Sequence, residues 1–166
     1  VAGLCPITEA NLGDGIFEGV KYSGAQGKWG IGSDSNIRIC VAEELRSLEY
    51  SQRLRDLGRN RLAKSNQANG RALFDAAAIG GAQALGQNMG ALEVGKAADI
   101  VSLNPHHPAL IGKHDDDWLN AWIFAGDKQC VQHVWVGGNQ VVREGNHPKR
   151  QSIVENFAAT MQYLMQ

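Results

Sequence analysis

Two short apolar segments, residues 1–6 and 29–32, each run straight into a polar loop, and a long helical pattern follows the second. Short apolar runs bounded by turn formers read as strands buried on both faces, the kind found in parallel sheets. Parallel neighbours need a crossover between them. Residues 15–22 supply it as a weakly patterned short helix, after a loop carrying the turn formers Asn11, Gly13, Asp14 and Gly15. The second strand stops at the polar cluster Ser33-Asp34-Ser35-Asn36. From Val41, apolar residues at Leu45, Leu48, Leu54 and Leu57 mark a helix, with Glu43, Glu44, Arg46, Arg53 and Arg55 on other faces and Gly58 as its stop. Residues 59–69 are polar and read as a linker or a partly helical return. Residues 71–85 form a second helix, where Gly80-Gly81 implies close helix packing.

The character changes after residue 88. Residues 92–95 and 98–103 read as short strands around a turn at Gly95-Lys96, and residues 104–117 as a loop with two prolines, three histidines and three consecutive aspartates. Residues 131–136 and 140–143 alternate about Gly137-Gly138-Asn139, a hairpin signal. At the end, Ile153, Phe157, Met161 and Leu164 space out an amphipathic helix over residues 149–166. The expected organisation is therefore α/β. Residues 1–88 carry the last strands and helices of a parallel barrel, 89–147 a β-rich module, and 148–166 a closing C-terminal helix. A whole (β/α)8 barrel takes roughly 250 residues, so residues 1–88 can hold only part of one.

Composition excludes several classes of partner. Net charge is −1 with 43% hydrophobic residues, which leaves no basic stripe for nucleic acid and no polybasic patch for membranes. No apolar run reaches the roughly 18 residues of a membrane helix. Residues 1–5 lack the charged start of a secretory leader. Cys5, Cys40 and Cys130 are widely spaced and odd in number, which reads as reduced, mostly buried thiols of a cytoplasmic protein.

Asp34 is the best candidate for chemistry. Barrel enzymes place catalytic groups where a strand opens into a loop at its C-terminal end. A carboxylate there can bind a divalent metal and take a proton from water. Taken alone, the same residues also read as an Asx turn or as the N-cap of the following helix.

Longer motifs point to a family. Gly30-Ile31-Gly32-Ser33-Asp34-Ser35 resembles the eighth-strand motif of the amidohydrolase superfamily. The segment Cys5-Pro6-Ile7-Thr8-Glu9-Ala10-Asn11-Leu12-Gly13-Asp14-Gly15 resembles the stretch after the seventh strand, in the version found in formimidoylglutamate deiminases. Glu43-Glu44-Leu45-Arg46-Ser47-Leu48-Glu49-Tyr50, Gln52-Arg53-Leu54-Arg55 and Arg59-Asn60-Arg61-Leu62 are similar to the same branch. Gly80-Gly81-Ala82-Gln83-Ala84-Leu85-Gly86 and Gly95-Lys96-Ala97-Ala98-Asp99-Ile100-Val101 resemble superfamily-wide marks of the barrel's last helix and the β domain.

The resemblance implies the C-terminal portion of an amidohydrolase (β/α)8 barrel with part of its accompanying β-sandwich domain. It implies a zinc-dependent hydrolase in which Asp34 is metal ligand and proton shuttle, with one Zn2+ per active site. The implied substrate is a small molecule, N-formimino-L-glutamate. It would be deaminated to N-formyl-L-glutamate and ammonia in histidine degradation, by a homodimer. The alternatives are another deaminase or chlorohydrolase of the superfamily, or a catalytically silent fragment. The family's His-x-His pair, later metal-binding His and catalytic His are expected upstream of this sequence, so the chain alone should be inactive.

Other residues carry weaker expectations. Glu9, Asn11 and Asp14 either line the mouth of the site or build a turn. Arg59 and Arg61 suit a carboxylate but come after a long helix, which favours salt bridges. His106 and His107, near Asp115–117, suggest a second metal site or simply a solvated loop, and His147 a surface position. Trp118, Trp122 and Trp135 read as core of the β region.

Overall fold

A computed structural model describes all 166 residues. Strand β1 (Ala2–Leu4) leads into helix α1 (Pro6–Leu12), and helix α2 (Gly19–Gly24) precedes strand β2 (Trp29–Ile31). The two strands pair in parallel, with Ala2 opposite Trp29 and Leu4 opposite Ile31, as the sequence predicts. Helices α3 (Val41–Asp56) and α4 (Asn69–Leu85) come next. Strands β3 (Ile100–Leu103), β4 (Val131–Val136) and β5 (Asn139–Val142) make a separate antiparallel sheet, and helix α6 (Arg150–Leu164) ends the chain. Gly137 and Gly138, at φ 55° and 80°, supply the two left-handed positions of the β4–β5 turn.

The core lies where β1 and β2 meet the helices. Leu4, Trp29, Leu45, Leu48, Leu73 and Ile123 are buried together. Each such side chain contributes roughly 1.5–3 kcal/mol on leaving water. Gly80 makes the α4–β2 contact possible, because a Cβ there would lie 1.8 Å from the Trp29 carbonyl oxygen.

Five expectations are corrected. The loop expected after β1 is helix α1, started by Pro6 at its first position and closed by Gly13 in the left-handed conformation. Helix α3 stops a residue earlier than Gly58 implies, with Leu57 itself at φ 52°. Its inward face differs too: Leu54 and Leu57 are exposed, whereas Glu44, Glu49 and Gln52 are buried. Glu49 and Gln52 are satisfied, whereas Glu44 is paired through one oxygen only. Glu49 accepts the amides of Arg61 and Leu62, and Gln52 donates to the Phe17 carbonyl.

Residues 92–95 are not a strand. Asn88 folds that stretch into turns, its backbone carbonyl accepting from Ala97 and its side chain donating to the Gly95 carbonyl. The fourth correction is an unexpected helix, α5 (Asp117–Ala125), which packs on α3 and α4. It carries Trp118 and Trp122, so these belong to the helical layer and only Trp135 to the sheet. Finally, α6 forms where expected but buries none of its residues.

Candidate active site

Parallel pairing brings the C-terminal ends of β1 and β2 together, and four hydrogen bonds fix the loops that leave them. Gly32 donates its amide to the Leu4 carbonyl at 2.9 Å, extending the pairing one step. The first amides of a helix have no partner within it. In α1, the Glu9 carboxylate reaches back to the Cys5 amide at 2.7 Å, and Glu44 of α3 accepts the Ile7 amide at 2.9 Å. The Thr8 hydroxyl donates to the Ser33 carbonyl at 3.0 Å. That last bond crosses from helix α1 to the loop after β2.

Asp34 lies three residues beyond β2, at the tip of the turn closed by the Asn36 amide on the Ser33 carbonyl. Its φ of 49° is a left-handed conformation that few non-glycine residues adopt. The side chain is exposed and takes part in no hydrogen bond or ion pair. The local alternatives fail. Cys40, not Asp34, is the N-cap of α3, and the Asx turn belongs to Asn36, whose side chain accepts the Arg38 amide at 2.8 Å. The carboxylate is thus held beyond a parallel strand end with nothing in this chain to neutralise it.

The floor of the site is acidic. Burial pushes the Cys5 thiol up, and the nearby charges of Asp34, Glu44 and Glu9 push it further, while the Asp34 amide pulls the other way. Glu44 is 2% exposed, and its second oxygen, Oε1, has no partner. Burial raises its carboxyl above the ordinary range, with the Ile7 amide opposing and Glu9 and Glu43 adding to the rise. Thr8 and Glu44 hold this corner together, and the sequence did not single them out. The available signal was Glu44 sitting beside Leu45 on the face completed by Leu48.

The remaining candidates disperse. Glu9 is a clamp on Cys5 rather than a lining group, and Asn11 and Asp14 are exposed beyond the middle of α1. Arg61 pairs with Asp56, whose carboxyl Arg55 and Arg61 together hold down to about 2. Arg59 lines a groove of about 690 Å³ with Tyr50, Arg53, Asn69 and Phe124, which includes none of the residues around Asp34. His106, His114 and His147 are exposed. The histidine loop does not gather on the three aspartates: Asp116 pairs with Arg71, and His107 instead meets Cys130.

A parallel strand pair backed by helices, with a free carboxylate past its C-terminal end and an antiparallel sheet appended, is the arrangement expected of the closing part of a (β/α)8 barrel with part of its accompanying β-sandwich domain. The chain belongs to the amidohydrolase family, which it matches over residues 1–141. It is 49% identical to formimidoylglutamate deiminase of Pseudomonas aeruginosa over 99% of its length, covering 37% of that protein. The crystal structure of an amidohydrolase from Brucella melitensis superposes with a TM-score of 0.90 at 44% identity, over 99% of this chain and 36% of that one. Atrazine chlorohydrolase from Arthrobacter aurescens, solved with zinc, superposes at 0.74 with 25% identity, over 94% of this chain and 34% of that one. The chain thus spans little more than a third of these relatives.

Proposed function

We propose that this chain is the C-terminal part of an enzyme that hydrolyses the formimino group of N-formimino-L-glutamate, giving N-formyl-L-glutamate and ammonia in histidine degradation. In this reading Asp34 is the catalytic residue and metal ligand. The observation that carries it is the Asp34 carboxylate itself, exposed, unpaired and fixed past the end of β2. Support for the substrate comes from the 49% identity to a formimidoylglutamate deiminase along nearly the whole chain.

The donor chemistry of Asp34 fits one oxygen ligand of a divalent ion. Catalytic zinc usually takes three protein ligands, so the others belong to the rest of the barrel. When bound there, zinc supplies Lewis acidity and brings the pKa of water toward neutrality. This chain's own part is positional and acid–base. An Asp34 oxygen accepts one proton of the attacking water and passes it to the imino nitrogen, and that nitrogen leaves as ammonia when the second proton of the same water reaches it as the formyl C=O forms. Thr8 and the Ser33–Asn36 turn keep that carboxylate in place while it does so.

The test uses the full-length enzyme. Ammonia release from N-formimino-L-glutamate should vanish in Asp34→Asn while the circular dichroism spectrum and melt stay as in the parent. Turnover close to the parent's in that variant would remove Asp34 from the mechanism. Turnover of a purine or triazine in preference to the formimino compound would remove the substrate assignment.

A further inference from the structure

We propose that His107, Asp127 and Cys130 form a site for one divalent transition-metal ion of the zinc class, sharing no residue with the Asp34 loop. Their ligand atoms all lie within 4.8 Å of one another. His107 Nδ1 and Cys130 Sγ stand 3.4 Å apart. Two such atoms bound to one tetrahedral zinc would be separated by about 3.5 Å, given Zn–N near 2.0 Å and Zn–S near 2.3 Å. An imidazole nitrogen, a sulfur and a carboxylate oxygen together suit zinc and disfavour magnesium or calcium, which avoid thiolates.

Each donor is placed by backbone. His107 sits between Pro105 and Pro108 in a turn where its amide donates to the Asn104 carbonyl and its own carbonyl accepts from Leu110 at 2.8 Å, while its Nδ1 accepts the Ala109 amide at a long 3.3 Å, the contact the ion would replace. The Asp127 carboxylate is oriented by the Gln129 amide, which donates to Oδ1 at 2.7 Å and leaves Oδ2 uncommitted. Cys130 is fully buried, and its carbonyl accepts the Asn104 amide at 2.8 Å. Gly126 keeps the space beside the sulfur open, since a Cβ there would come 2.6 Å from it. His107 and Asp127 remain half-exposed and provide the entry. On binding, the Cys130 thiol gives its proton to solvent as sulfur bonds to the ion, and no electron is exchanged. The ion would staple the loop that leaves β3 to the turn that enters β4, with solvent water completing its four-coordinate shell.

Cobalt(II) reports on this directly, because a thiolate ligand produces a charge-transfer band in the near ultraviolet. Titration of the metal-free 166-residue chain should saturate that band at one equivalent, and zinc should abolish it. The band should vanish in Cys130→Ser and persist in Cys40→Ala and Asp34→Asn. His107→Gln and Asp127→Asn should each weaken cobalt binding by about tenfold or more, the cost typical of disturbing a metal site. Zinc should also raise the melting temperature of the parent chain and leave that of His107→Gln unmoved, which decides the matter if Cys130→Ser fails to fold. Absence of a thiolate band at millimolar cobalt, its survival in Cys130→Ser, or its loss in Asp34→Asn would each overturn the site.

Discussion

The Thr8 hydroxyl donates to the Ser33 carbonyl at 3.0 Å, and the residue after Ser33 is Asp34. This one side-chain bond ties helix α1 to the loop that carries the free carboxylate. Thr8→Val keeps the shape and removes the donor. It should cost about 0.5–1.5 kcal/mol, the net worth of an ordinary hydrogen bond. Amide exchange at residues 33–36 should speed up more than exchange in α3. Uniform acceleration across the chain would mean that Thr8 serves general stability and does not fix the Asp34 turn.

Glu44 gives a pH dependence of defined sign. Its carboxyl is raised in the fold above its usual value near 4.5, chiefly by burial. The folded state therefore holds the proton more tightly than the unfolded state. Stability from this group is complete below that value and is lost as pH rises through the raised one. Glu44→Gln cannot titrate and still offers an oxygen to the Ile7 amide. The urea midpoint of the variant, relative to the parent, should climb as pH rises above about 4.5 and level off once pH has passed the raised value. A gap that stays flat, or narrows with rising pH, would show that something supplies the missing partner of Oε1 and keeps the ionised form.

Adjacent glycines in α4 should respond in opposite directions. A Cβ at Gly80 would fall 1.8 Å from the Trp29 carbonyl oxygen, whereas one at Gly81 meets nothing within 4 Å. Gly80→Ala must push α4 away from β2 and should cost about 3 kcal/mol or more, at the upper end of overpacking. Gly81→Ala should be neutral or stabilising by up to roughly 1 kcal/mol, the helix preference of Ala over Gly. Chemical denaturation of both variants reads this out, and equal effects would mean that α4 is not seated on β2 through Gly80.

These contacts explain which features the sequence disclosed. The parallel strands, α3, α4 and the β4–β5 hairpin were legible because each has a local cause: a short apolar run, a 3.6-residue period, or a two-glycine turn. Helix α5 was not. Trp118, Leu119, Trp122, Ile123 and Phe124 cover several of its faces, because it packs on both α3 and α4, and burial on many sides erases the period. Asp34 stood out by its place after a strand, but Thr8 and Glu44 act through chain segments 25 and 37 residues away. No local pattern encodes such partners. The same holds for His107, whose neighbours the sequence put at Asp115–117 and the fold puts at Asp127 and Cys130.

The chain on its own should associate. Strands β1 and β2 form a sheet of only two strands, so each keeps an outer edge of unpaired amides and carbonyls. Such edges recruit further strands. Helix α6 presents Ile153, Val154, Phe157, Met161 and Leu164 with none of them buried, and Leu92 and Val94 add further exposed apolar surface. Contiguous apolar faces of this kind mark surfaces that something else covers, and the relatives are nearly three times as long. Sedimentation velocity on the isolated chain should therefore show species larger than a monomer, growing with concentration and reduced by Phe157→Glu on α6. A concentration-independent monomer with a sharp cooperative melt would mean that the open strand edges and α6 fold back onto this chain in solution.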